Sequence, residues 1–170
     1  MSRSCARSRP RIREMTARPV PSSPGVSARM RRHPRRDTGP ELALRRRLHA
    51  AGYRYRVVYP VPGYPRRSID IAFTRAKVAV FVDGCFWHGC STHRQVPATN
   101  TAWWAEKLSA NRARDEGTTA HLMELGWTVL RFWEHTAPDD AFAAITHALG
   151  TSLPAQRQSA ERSDPPNLVE

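Results

Sequence analysis

The 170-residue chain has no apolar run near the ~20 residues that a bilayer-spanning helix needs. No apolar stretch follows its first arginines to act as a secretory leader, so no membrane association is expected and a cytoplasmic address is. Cysteine is scarce: there are three, which excludes a disulfide framework. Two of them, Cys85 and Cys90, stand with four residues between them in a histidine-rich stretch, a pattern that fits thiolate metal ligation in a reducing compartment. Cys5 lies in a tail, where no role is expected. Acidic residues are nearly missing from the start of the chain. Residues 1–36 hold eleven Arg against one Glu and carry +10 of the total +12, leaving the remainder close to balance at +2. The net charge is therefore no evidence for a basic nucleic-acid face on the folded part, and binding there must rest on particular residues.

What is present is enough for one domain. The composition is too apolar for full disorder and too polar for a membrane protein, and there is no internal repeat. Residues 1–36, rich in Arg, Pro and Ser, read as a basic disordered tail whose attraction to phosphate is unspecific. Organised structure is expected over 37–150, and the polar segment 151–170, with Pro165 and Pro166, reads as a second disordered tail. Pro40 at a first helical position, the stripe Leu42, Leu44, Leu48 and the stop at Gly52 predict a helix over about 40–51. Tyr53–Val58 and Ser68–Phe73 read as strands around "VPGYP", followed by a third over Lys77–Val82. A long helix follows from Thr101, broken or softened near Gly117, then a strand over Trp127–Trp133 and a helix over Pro138–Leu149. This order predicts an α/β domain with a mixed sheet flanked by helices.

The chemistry concentrates in "FVDGCFWHGCSTH", residues 81–93. Cys85, Cys90 and His93 form C-x4-C-x2-H, and His135 stands just beyond the fourth strand. Two thiolates and two imidazoles suit tetrahedral zinc and close its shell, so the site would be structural; the alternative is a pair of buried free cysteines near unrelated histidines. His88 lies inside this clip without being needed by it, which leaves it free for proton transfer. Asp70, between Ile69 and Ile71, needs a cation or hydrogen bonds; either Mg²⁺ or an ion pair with Arg66 or Arg67 would serve. Taken alone, Glu41 fits a helix-dipole contact and Asp115 a solvated charge run with Arg112 and Arg114. Phe86, Trp87 and Trp104 read as exposed wedge or stacking surfaces for bases, whereas Trp103, Trp127 and Trp133 read as core.

Four collinear blocks, "RRDTGPELALRRRLHAAGYRYRV", "DGCFWHGC", "VPATNTAWWAEKLSANRARD" and "LMELGWTVLRFWEH", resemble the very-short-patch mismatch repair endonucleases (Vsr) from about Met30 to beyond His135. The resemblance implies a restriction-endonuclease-like fold of the PD-(D/E)xK type, a structural Zn²⁺, and Mg²⁺-dependent nicking of one DNA strand beside a T·G mismatch left by deamination of 5-methylcytosine. It implies Asp70 as metal-binding catalytic aspartate, His88 as catalytic histidine, Asp115 as the carboxylate that orients it, and Glu41 as the helix acid near the metal's water. It also implies the backbone carbonyl of Val82 as the second ligand of that Mg²⁺. Phe86, Trp87 and Trp104 match the aromatics that wedge beside the mismatch, and Met30 falls where an N-terminal segment reaches the duplex. The zinc positions match with exchange between Cys and His, one ligand being displaced to His93. Asp83 stands where a known member carries histidine, open to either a metal ligand or a contact behind the ligands. Expected partners are double-stranded DNA with a T·G mismatch and mismatch-repair proteins, with action at the nucleoid as a monomer. Two alternatives remain: a restriction-type nuclease of this fold without mismatch preference, and a zinc-stabilised DNA-binding module without catalysis.

Overall fold

The computed structural model describes residues 36–93 and 97–152, together with Gly25 and Ala28; Met30 and most of both tails lie outside the described residues. Helix α1 (Gly39–Ala50) starts where proline is tolerated, with Pro40 in its first turn. Strand β1 (Arg56–Val61) and strand β2 (Tyr64–Phe73) are joined by Pro62 and Gly63, the latter at φ +81°, a sequence suited to a type II turn. Strand β3 (Val78–Asp83) is followed by a single helical turn, α2 (Cys85–His88), then α3 (Thr101–Glu124), β4 (Thr128–Trp133) and α4 (Pro138–Ser152). The sheet order is β1-β2-β3-β4, antiparallel except for the β3–β4 pair, whose parallel crossover is made by α2 and α3.

Helices cover both faces. On one face, Leu44 and Leu48 of α1 and Ala141, Ile145 and Leu149 of α4 meet Ile71, Phe73, Val78 and Val80. On the other, Leu122 of α3 meets Val61, Ile69, Ala72, Ala79, Phe81 and Trp127. Strand β3 alternates between the two clusters as an unbroken pleat requires. Strand β2 does not, because Ile69 and Ile71, two residues apart, pack into opposite clusters. The irregularity centres on Asp70. Opposite it, Val58 has φ +49° and is skipped by the β1–β2 ladder, which pairs Val57 with Ile71 and Tyr59 with Ile69. On its other side the β2–β3 ladder runs only from Phe73–Val78 to Ile71–Val80.

Three expectations need correction. The first hairpin is shifted: β1 begins at Arg56 because Tyr53 and Tyr55 turn inward to make edge contacts with Phe73, and β2 begins at Tyr64, since the turn needs only two residues. Helix α3 runs unbroken through Gly117, whose ~1 kcal/mol propensity penalty is small beside the packing on either side of it. Of the tryptophans expected in the core, Trp127 is buried, but Trp103 and Trp133 are only half-buried. Trp103 packs edge-on against Trp104 under Lys107, and Trp133 stacks on His135.

Candidate active site and metal centre

The open end of the sheet, where β2 and β3 stop pairing, holds Asp70. Its Oδ2 accepts a hydrogen bond from the Val82 N–H at 2.9 Å, a side-chain contact where the ladder has ended. Burial pushes the Asp70 carboxyl up to about 6; the Val82 N–H opposes this, the negative charges of Glu41 and Asp83 add to it, and Arg45 again opposes. The alternative of a pair with Arg66 or Arg67 does not hold for Arg67, which donates to Thr118 Oγ1 at 2.8 Å and lies over the Tyr64 ring.

Glu41 is buried on α1. Its Oε2 accepts from Arg45 Nη2 at 2.7 Å and from the Asp37 N–H at 3.1 Å, and its Oε1 accepts from Thr38 Oγ1 at 3.0 Å. Thr38 and Glu41 have capping-box spacing, so the acid is fixed in place by the helix start. Arg45 is buried too, with Nη1 2.5 Å from Asp37 Oδ1.

Helix α2 presents His88 to α3. His88 Nδ1 lies 2.6 Å from Asp115 Oδ2, so an Nδ1–H donated to that carboxylate leaves the Nε2 lone pair free. Burial raises the Asp115 pKa, but the hydrogen bond to His88 and the charges of His88, Arg131 and Arg114 outweigh it, so the group is lowered overall. This pairing replaces the solvated charge run. Two further contacts brace the same turn: Asn111 Nδ2 donates to the Trp87 carbonyl at 2.9 Å, and Gly89, at φ +70°, gives room to the Arg112 guanidinium. A Cβ on Gly89 would lie 3.4 Å from Arg112 Nη1.

Asp83 has both oxygens engaged by Arg131, at 2.8 Å from Nε and 2.6 Å from Nη2, and Oδ1 lies 3.5 Å from His88 Nδ1.

Cys85, Cys90, His93 and His135 offer four ligand atoms within 4.8 Å of one another. Cys85 Sγ is 3.0 Å from His135 Nδ1 and 3.7 Å from His93 Nδ1, and Cys90 Sγ is 3.8 Å from His93 Nδ1. Ligands around a tetrahedral zinc are separated by about 3.3–3.8 Å, so a set whose His93 and His135 Nδ1 atoms are 3.2 Å apart and whose donors all lie within 4.8 Å is close to the size such an ion needs. Burial pushes the Cys85 thiol up to about 12, with Cys90 and Glu134 adding to it. Burial acts the same way on Cys90, but the backbone N–H groups of His93 and Thr92 and the side chains of His93 and Cys85 hold it down at about 7. Glu134 Oε1 accepts from the Cys85 N–H at 2.8 Å and anchors the start of α2 beside the cluster.

Phe86, Trp87, Trp103 and Trp104 are half-buried and form one continuous group of rings, with centroids 5.0 Å apart for Phe86–Trp87, 5.2 Å for Phe86–Trp104 and 4.9 Å for Trp103–Trp104. Sequence reasoning missed Arg131, Arg45, Asn111 and Glu134. Arg45 carried a signal, its i,i+4 spacing from Glu41. Arg131 and Asp83 are 48 residues apart and carried none.

The model of the family described as DNA mismatch endonuclease Vsr matches residues 24–94. Among curated proteins, the chain is 44% identical over 133 residues to the type II nicking enzyme V.NaeI of Lentzea aerocolonigenes, covering 77% of this chain and 80% of that one. It is 41% identical over 101 residues to the type II nicking enzyme V.XorIIP of Xanthomonas oryzae pv. oryzae, covering 58% and 71%. It is 38% identical over 110 residues to the DNA mismatch endonuclease Vsr of Escherichia coli, covering 64% and 68%.

Proposed function

Because the chain belongs to the DNA mismatch endonuclease Vsr family, we propose that it nicks one strand of duplex DNA beside a T·G mismatch by Mg²⁺-dependent phosphodiester hydrolysis. The observation that carries this reading is the His88–Asp115 pair at 2.6 Å, set in the same charge network as Asp70, with Asp83 coupled electrostatically to Asp70 and 3.5 Å from His88.

The donors fit a divalent cation. A half-buried carboxyl pushed up to about 6, with two further acids adding negative potential, gains from a cation what it lacks in solvent. Asp70 and the Val82 carbonyl would hold Mg²⁺, and Cys85, Cys90, His93 and His135 would hold Zn²⁺. Bound at Asp70, Mg²⁺ supplies positive charge to the scissile phosphate and acidifies water. His88 Nε2 takes a proton from the attacking water, while Asp115 holds the ring and offsets the positive charge that it acquires. Glu41, held by Arg45 at 2.7 Å, supports the water's position from α1. The rings of Phe86, Trp87 and Trp104 enter beside the mismatch, where the wobble pair unstacks more easily than a Watson–Crick pair. Met30 contacts the duplex from the N-terminal side. The enzyme acts as a monomer at the nucleoid of the cytoplasm, alongside mismatch-repair proteins.

The test compares fluorescent duplexes that differ only in one T·G or T·A pair, in Mg²⁺. Faster nicking of the T·G strand is expected, and Asp70→Ala and His88→Ala abolish it with zinc content unchanged. Equal rates on both duplexes would move the assignment to nicking without mismatch preference, which the names of the relatives called type II nicking enzymes leave open.

A further inference from the structure

We propose that Arg131 is a positioning residue for His88, acting through Asp83 to keep Asp115 as the imidazole's hydrogen-bond partner. This rests on the nuclease reading above. Four groups form a closed ring of contacts. Arg131 holds both oxygens of Asp83 at 2.6 and 2.8 Å, and its Nη2 also lies 3.8 Å from Asp115 Oδ1. His88 Nδ1 lies 2.6 Å from Asp115 and 3.5 Å from Asp83.

One nitrogen therefore faces two carboxylates, and it has one hydrogen to give. Which carboxylate receives it fixes the plane of the ring and the direction of Nε2. A bidentate guanidinium satisfies Asp83 in a fixed geometry and withdraws it from the competition. Arg131 is itself held in place. It stands opposite Phe81 in the parallel register, and its guanidinium lies 4.7 Å above that ring, so it reaches Asp83 from a braced position. A salt bridge serving only to join β3 to β4 would not need its acid 3.5 Å from the imidazole.

The experiment uses the full-length zinc-loaded protein, with single-turnover nicking of the T·G duplex in Mg²⁺ and duplex affinity measured with Ca²⁺ in its place. Removing a partner one step behind a functional histidine costs roughly 10- to 100-fold, so Arg131→Met lowers the nicking rate by about that factor with duplex affinity within about twofold. Imidazole ¹⁵N spectra of this variant are expected to keep His88 protonated at Nδ1 but to shift or split the single Nδ1–H resonance expected of the parent, as Asp83 competes with Asp115 for it, and Arg131→Lys recovers part of the rate. The decisive variant is the double Asp83→Asn, Arg131→Met, compared with Arg131→Met at saturating Mg²⁺ because Asp83 also adds negative potential at Asp70. With the competing charge gone, it nicks faster than Arg131→Met alone, whereas a merely structural bridge leaves it equally slow or slower. A nicking rate for Arg131→Met near that of the parent, or no gain in the double variant, overturns the proposal. If the parent protein itself fails to nick in Mg²⁺, the nuclease reading fails instead, and if His88→Ala retains nicking, the role given to His88 fails; both outcomes are thereby told apart from a failure at Arg131.

Discussion

At the residue scale, Asp70 carries the largest conflict between stability and use. Its carboxyl titrates near 6 in the fold against 3.8 ordinarily, so ionisation costs stability as pH rises from about 4 to about 6, and the full cost is present above that window. Asp70→Asn keeps an acceptor for the Val82 N–H and removes the charge. Metal-free protein carrying it is expected to gain up to about 3 kcal/mol at pH 8 and almost nothing at pH 4, as read by urea unfolding at the two pH values. The same substitution is expected to abolish nicking. Asp115 has the opposite sign. Its lowered pKa contributes stability that is present above the ordinary carboxylate range and lost as pH falls through its folded value. Asp115→Asn presents an amide where a carboxylate accepted the Nδ1–H, so the nicking rate should fall at least about a hundredfold with duplex binding preserved.

At the scale of elements, Gly117 and Val58 yield opposite lessons. Gly117 lies in the middle of α3 with nothing within 4 Å of where a Cβ would stand. Gly117→Ala is therefore expected to raise stability by about 0.5–1 kcal/mol, measured by denaturant titration, with activity unchanged. Val58 holds a β-branched side chain at φ +49°, directly across the strand pair from Asp70. Such a conformation costs of order 1–3 kcal/mol, and Val58→Gly should recover part of it while leaving the strand path and nicking intact.

Most elements were legible because their signals are local: Pro40 with the leucine stripe for α1, β-branched runs for β3 and β4, and Pro–Gly for the hairpin turn. The four Cys and His donors that gather in space were also legible, three from spacing within nine residues and His135 from its place after a strand. Features made by contact between distant segments were not. Tyr53 and Tyr55 have strand composition but serve the core beneath Phe73, and a four-residue helix such as α2 leaves no period to read. The Arg131–Asp83 pair and the slipped pleat at Asp70 exist only once β2, β3 and β4 are side by side.

At the scale of the whole molecule, charge and chemistry are separated. Seven Arg and one Glu precede Met30, whereas the acids described above cluster at one end of the sheet. A chain beginning at Met30 should keep its nicking rate on saturating T·G duplex, while the slope of log affinity against log salt becomes shallower by about 0.9 for each phosphate no longer neutralised. The Cys and His cluster joins the start of α2 to the end of β4, residues 85 and 135. Thiol modification should release one metal ion per chain and lower the unfolding temperature, read by a zinc-sensitive dye and by circular dichroism.

The aromatic group and the imidazole–carboxylate pair are both shared between the same two helices. Phe86, Trp87 and His88 come from α2, and Trp103, Trp104 and Asp115 from α3, with about 16 Å of helix between Trp104 and Asp115. Anything that tilts one helix against the other disturbs both groups at once. On the proposed mechanism, a base step that failed to seat among the rings would leave His88 out of line, and discrimination between correct and incorrect substrates would be read in turnover rather than in how tightly the duplex is held.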